Sequence, residues 1–490
     1  MERISITSPD LDALSQAKVF RLDDNQTFPY SPRDEDSRWR RIMQSTFRLT
    51  RVALGALLAC TGTALAQSPH ILAGISAGKV AVISDGDYVA RTYADSVLAP
   101  SEAGHKDLLT ILSIENGRVV QSRLSVSNSV TAAPEVLELA PDGRTAFVTE
   151  RLGERPQGGR TVKDLPPGNR LFAIDLSEAA NPKLAAIAEV GVNPEALAVS
   201  PDGRRVAVVS NTASQSLLQI VVFKDGKFGK VASFDLAEHG IQGQTSGSRG
   251  GLTATNVQWH PSGRFVAVNI NTQNRIAFFE LSVDQGAANI KPWGQPVETG
   301  RDPFVGRFTP DGRYYLTSNW GRDFKATTLD GRIPDAASTI SLIKLASPDS
   351  EDPRHQHLLN VDTDISAEGI AISPDGRLVA TINMRGTAFP EDSPRHTKDA
   401  GISLLTLDPE AGKLEKVGDY PFEGVLPEGG TFDLTGDHLL ATVFEGHPGA
   451  GSDRGAGVEV FRVIKGARPS LQRVGRLTLP HGAHHVDVAP

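Results

Sequence analysis

Apolar and polar residues alternate with a period of two in short runs along most of the chain, and the runs recur around one phrase. An apolar stretch leads into Pro-Asp-Gly-Arg or a near copy, and an alternating stretch follows. The copies are VLELAPDGRTAFVTE, LAVSPDGRRVAVVSN, VQWHPSGRFVAVNIN, GRFTPDGRYYLTSN, IAISPDGRLVATIN and TFDLTGDHLLATVFE. Their turn glycines are Gly143, Gly203, Gly263, Gly312, Gly376 and Gly436, spaced by 60, 60, 49, 64 and 60 residues. Alternation on both sides of a tight Asp-Gly turn predicts a β-hairpin. Two more strand-like runs follow each hairpin; after the second copy they are residues 217–223 and 230–236, joined at Asp225-Gly226. Four strands make a sheet too small to bury both its faces. Repeating such sheets radially is the propeller solution.

Six copies are complete. Residues 484–490 match the first strand of another copy as far as its Pro, residues 79–84 match a second strand, and residues 108–114 and 118–126 supply a third and fourth. The predicted fold class is therefore all-β, a seven-bladed β-propeller closed by pairing of N- and C-terminal strands in one blade. Such closure leaves no free edge between first and last blades. The SPDGRxVAVxSN-type hairpins, with Asn211, Asn271, Asn319 and Asn383 ending their second strands, resemble the YVTN-type, lactonase-like seven-bladed propellers of bacterial envelopes. The resemblance covers essentially all of residues 67–490. It implies either a lactone hydrolase or an envelope scaffold without catalysis, because fold alone does not decide between them.

One apolar run breaks the alternation, at residues 52–66 (VALGALLACTGTALA). It falls short of the ~20 apolar residues that a spanning helix needs. Arg48 and Arg51 precede it and Ala64-Leu65-Ala66 ends it, the layout of a secretory signal peptide cleaved before Gln67. The expected division is a non-native or disordered leader at 1–42, a signal peptide at 43–66 and the propeller at 67–490. The expected location is periplasmic or secreted, with no transmembrane segment in the mature chain. Leu57-Leu58-Ala59-Cys60 also resembles a lipoprotein box, a minority alternative in which Cys60 carries a lipid.

Composition narrows the function classes. The chain has 490 residues, a formal net charge of −8 and one Cys. A mildly acidic balance gives no general attraction to nucleic acid. Loss of Cys60 with the signal peptide removes cysteine nucleophiles and disulfides. No G-x-S-x-G elbow, phosphate loop, zinc spacing or c-type haem motif is present.

Blade geometry puts the Pro-Asp-Gly turns on one face, the bottom. The start of each first strand and the loops between second and third strands then lie on the opposite, top face. Five of those loops are long, at about residues 85–106, 151–169, 320–337, 384–400 and 445–456, against 211–216 and 271–274 in the other two blades. Loops longer than ~12–15 residues are uncommon and often functional. A small molecule, a glycan or an envelope protein is the partner expected at this face.

Eight residues before each turn glycine, where the first strand begins beside the central channel, stand Glu135, Glu195, Thr255, Phe304, Glu368 and Glu428, with His484 in the split blade. Four carboxylates therefore form an arc around one histidine. Two carboxylates ~8 Å apart repel by about 2 kcal/mol at an effective dielectric near ~20. A bound divalent cation, raised pKa values or loop cations would offset that. The resulting candidates are Glu428, His484 and Glu135 for catalysis, and Glu195, Glu368, Arg322 and Arg385 for ligand binding. A metal, if one binds, would sit on Glu135, Glu195, Glu368 and Glu428. The alternative is a structural role in which each Glu accepts backbone N–H groups of the next blade. The main functional reading is a secreted propeller that binds a ligand or partner at its loop-rich face. The alternative is a lactonase-like hydrolase in which Glu or His deprotonates water and Arg or a cation stabilises the oxyanion.

Overall fold

The computed structural model describes residues 71–490 apart from 73, 116–117, 213–214, 242–253 and 285–286. The expected leader, signal peptide and Cys60, and the glycine-rich stretch 247–251, lie outside the described residues. Seven antiparallel sheets follow one another, six of them with strands in sequence order from the axis outward and one opened by the last strand of the chain. Blade 1 is the split sheet, built from Ala483–Ala489, Lys79–Ser84, Leu108–Glu115 and Arg118–Ser125. In its closing pair Lys79 faces Ala489 and Ile83 faces His485. The innermost strands of blades 2 to 7 are Leu137–Leu139, Pro194–Val199, Ala254–Trp259, Pro303–Phe308, Ala367–Ile372 and Gly430–Phe432.

The period of two is explained by the two faces of each wedge. In Lys79–Ser84, Ala81 and Ile83 pack toward blade 2 with Leu137, Val148 and Ile174. Val80 and Val82 pack toward blade 7 with Leu440, Val458 and Val460. Each fully buried aliphatic side chain contributes about 1.5–3 kcal/mol relative to exposure. The recurring turn has an equally local cause. Its glycines hold φ between 65 and 71°, the left-handed region that suits residues without a Cβ. The turn Asp accepts the N–H two residues on, as Asp202 does from Arg204 at 3.1 Å and Asp375 from Arg377 at 3.1 Å. A Ser or Thr before the Pro donates to that same carboxylate, as Ser200 and Ser373 do.

Two details differ from expectation. The outer strand of blade 3 is Lys227–Asp235 and starts three residues early, because Asp225 and Gly226, at φ 51° and 74°, complete a two-residue hairpin. Blade 4 also gains a short strand, Val297–Glu298, paired with Arg275–Asp284.

Candidate functional site at the central channel

The innermost strands pack side by side around the axis, and blade 7 meets blade 1 as blade 1 meets blade 2. Each begins with a sharp entry turn. The residue two places before the ring position is left-handed in five blades: Gly482 (φ 90°), Asn193 (53°), Asp302 (61°), Ser366 (59°) and Leu426 (52°). Pairing with the second strand then shifts register across the ring position itself, at Pro194/Ala196, Pro303/Gly306 and Ala367/Gly369. A bulge of this kind re-aims one side chain out of the pleat.

All seven ring residues are buried, with Glu195, Glu368, Glu428 and His484 no more than 1% exposed. Their partners differ. Glu195 takes the Arg151 Nε at 2.9 Å, and Arg151 also reaches the Thr131 hydroxyl at 3.1 Å. Glu428 accepts the Tyr93 hydroxyl at 2.8 Å. His484 Nε2 lies 2.8 Å from Asn128 Oδ1, whose amide nitrogen donates to Ser84 and Val126 carbonyls. The Asn oxygen thus faces the ring nitrogen, and Nε2 carries the hydrogen. Burial pushes the His484 imidazole down to about 3, so it stays neutral and weakly basic. The carbonyl of Glu368 accepts the Ser318 hydroxyl at 3.0 Å. Thr255 donates to the Phe304 carbonyl at 2.9 Å, and the Phe304 ring packs 4.9 Å from Trp320.

Glu135 behaves differently. Its carboxylate accepts Arg307 Nη2 and, at 3.2 Å, the Gln258 amide. Both partners sit five residues before their turn glycines, one layer further down the channel. That layer also holds Glu138 and Asp487, and Gln258, Arg307, Glu138, Thr431 and Asp487 are only half-buried, so water reaches them. Glu138 accepts the Val199 N–H at 2.9 Å and Asp487 the Leu139 N–H at 2.7 Å. The structural role weighed for the ring glutamates, bonding to the next blade's backbone, is thus taken here by the layer below. Burial pushes the Glu135, Glu138 and Asp487 carboxyls up; the Arg307 charge opposes this at all three. His485 Nδ1 accepts the Leu137 N–H at 3.3 Å, and burial together with Arg307 pushes that imidazole well down.

The loop cations go to various ends. Arg151 meets a ring carboxylate. Arg322 is buried and held by Asp302 at 2.7 and 3.0 Å, with its guanidinium over the rings of Trp320 and Phe304. Arg385 lies 3.4 Å from Asp364 and donates to the Asp399 carbonyl. The long loops pack on one another. Tyr88, Tyr93, Leu98, Leu165, Trp320, Ile333, Phe389 and Phe444 belong to one apolar cluster. Val97 bridges Thr161, Arg395 donates to the Ile333 and Pro334 carbonyls, and Glu445 accepts the Ala90 N–H. The helical turn Thr92–Asp95 from blade 1 also touches Leu329–Arg332 from blade 5. The loop face is thus capped over the ring.

Among the described residues, one trio of acidic or histidine side chains brings its ligating atoms within 4.8 Å of one another: Asp85, Asp87 and Asp107, at the base of the blade 1 loop. The four ring glutamates are not part of it. Sequence reasoning passed over Arg307, Gln258, Glu138 and Asp487. The signal was available: the count that found the ring, moved three residues along each strand, lands on all four.

The sequence profile described as lactonase, seven-bladed β-propeller, matches residues 110–445. No curated protein matches the chain in sequence. Among solved structures, the periplasmic gluconolactonase of Pseudomonas aeruginosa is 17% identical with a TM-score of 0.56, covering 84% of this chain and 99% of that one. A 6-phosphogluconolactonase candidate from Bacteroides uniformis is 16% identical with a TM-score of 0.55, covering 84% and 99%. A protein of unknown function from Desulfotomaculum acetoxidans is 14% identical with a TM-score of 0.53, covering 78% and 95%. Identities this low speak for the fold, whereas the profile spans most of the disc, and the chain belongs to the lactonase family of seven-bladed β-propellers.

Proposed function

We propose that the protein is a lactone hydrolase acting inside its central channel. The observation that carries this reading is the Glu135 carboxylate, raised in basicity by burial and aimed by Arg307 and Gln258 into a layer that water reaches. Glu135 takes a proton from water as the water oxygen bonds to the lactone carbonyl carbon. The Arg307 guanidinium stabilises the oxyanion that develops. The ring C–O bond then breaks, and the proton held by Glu135 passes to the leaving alkoxide. The product hydroxy acid ionises and releases a proton to solvent. His484 is too weak a base for the same task, and Glu428 is covered by Tyr93.

Family membership supports this reading over the scaffold reading. The long loops that suggested an open binding face are packed together instead. Export through the signal at 43–66 is part of the proposal, and a periplasmic relative in fold is consistent with it. No helix among the described residues is long and apolar enough to cross a membrane.

Proton release on addition of a panel of lactones tests the reading. Glu135→Gln is expected to lower kcat/KM by about 100-fold or more. Unchanged hydrolysis in that variant would remove Glu135 from the mechanism, and no hydrolysis across the panel would remove the reaction.

A further inference from the structure

The charge of the channel wall carries a conclusion about substrate class. The seven ring positions and the layer three residues on carry six carboxylates, on Glu135, Glu138, Glu195, Glu368, Glu428 and Asp487, against one guanidinium, on Arg307, while Arg151 of a loop pairs with Glu195. Arg307 is already engaged by Glu135. His484 and His485 are neutral, the first donating to Asn128 and the second accepting from Leu137. In the half-buried layer where Glu135 points, Glu138 and Asp487 each accept a backbone N–H, which favours the ionised carboxylate against the burial that raises both. The Asp487 charge raises the carboxyls of both Glu135 and Glu138, so these groups lie close enough to act on a common ligand. Arg307 is matched by Glu135, which leaves no surplus positive charge in these two layers for a second, permanently charged group.

Resting on the hydrolase reading for its chemistry, we infer that Glu138 and Asp487 make this channel select uncharged lactones and reject phosphorylated or carboxylated ones. A phosphate dianion entering this layer meets net negative charge at short range once Glu138 and Asp487 have ionised, which burial moves above the ordinary carboxylate range, and the repulsion is then enough for discrimination of about 100-fold or more. Polyhydroxylated neutral rings meet instead a wall of acceptors with the Gln258 amide and Arg307 among them.

The test compares glucono-δ-lactone with its 6-phosphate. The expected result is a kcat/KM ratio of about 100 or more in favour of the neutral lactone, carried mainly by KM, which narrows as ionic strength rises from about 0.02 to 0.5 M. In Glu138→Gln/Asp487→Asn the ratio is expected to fall by about tenfold or more. Equal or better turnover of the phosphorylated lactone, or a ratio indifferent to salt, overturns the inference even if the double variant does not fold. Calorimetry with 1,5-anhydroglucitol and its 6-phosphate, rings that cannot be hydrolysed, separates this inference from the hydrolase reading. Preferential binding of the neutral ring without any lactone turnover keeps the selectivity and discards the reaction. Preference for the phosphorylated ring, or binding of neither, discards the selectivity.

Discussion

Asp302 grips Arg322 with both carboxylate oxygens, at 2.7 and 3.0 Å, and neither side chain is more than 1% exposed. Asp302 also accepts the Asn271 amide at 3.2 Å and occupies the left-handed entry turn of blade 5. A buried pair gains little over an apolar replacement, but half of one is costly. Asp302→Asn or Arg322→Met alone is expected to lower unfolding free energy by about 3–5 kcal/mol, with the double variant recovering much of the loss. Urea denaturation of all four proteins gives the coupling, and additive single effects would count against the pair as a unit.

Ser366 occupies the equivalent entry turn of blade 6 at φ 59°, and its buried hydroxyl finds no partner among the described residues. Glycine tolerates that conformation and removes the stranded hydroxyl. Ser366→Gly is expected to stabilise the protein by about 0.5–1 kcal/mol, after allowing for the greater freedom of unfolded glycine. A fall in melting temperature would show that the turn is not strained.

Burial pushes the Glu445 carboxyl up to about 7, although it accepts the Ala90 N–H at 3.2 Å. Its folded pKa therefore lies above its unfolded one. The stability this group contributes is complete below the ordinary carboxylate range and is lost as pH rises through about 7. Glu445→Gln keeps an acceptor for Ala90 without the charge. The variant is expected to exceed the parent by about 1–3 kcal/mol at about pH 8 and to match it near pH 4. His481 and His484, pushed down to about 4 and about 3, act in the opposite sense and lose their contribution as pH falls below the ordinary imidazole value. His484 is common to both proteins and cancels, whereas His481 lies 3.8 Å from Glu445 and is neutral in both proteins at about pH 8, so denaturation midpoints there carry the comparison.

Tyr93 descends from the blade 1 loop onto Glu428, 335 residues away in sequence. Loss of one such hydrogen bond corresponds to about a two- to tenfold change in an opening equilibrium. Tyr93→Phe is expected to speed carbodiimide labelling of Glu428 by that factor, and Tyr93→Ala by more. Identical labelling in all three proteins would mean that Tyr93 does not shield the ring.

Much of this architecture is readable from local chemistry. The Asp-Gly turns announce the hairpins because Asp202 and Asp375 bond within a few residues, so the phrase needs no context. The split blade was legible because residues 484–490 and 79–84 each match half of the same phrase. The ring positions followed from a count along one strand. The partners of those residues did not, since they come from other blades: Arg307 reaches Glu135 from three blades away, and Tyr93 reaches Glu428 from the neighbouring wedge. Arg322 shows the same limit. The sequence offers it as a loop cation near the ring carboxylates, and its buried partner Asp302 becomes visible only in the fold.

Because Ile83 of the earliest described strand completes its inner ladder only with His485, the disc is held shut by a clasp whose second half is made long after the first. Until the second half is made, six wedges stand with open flanks and unpaired edges. A lesion in residues 483–489 would therefore be felt first as aggregation of new protein, while discs already closed would keep working.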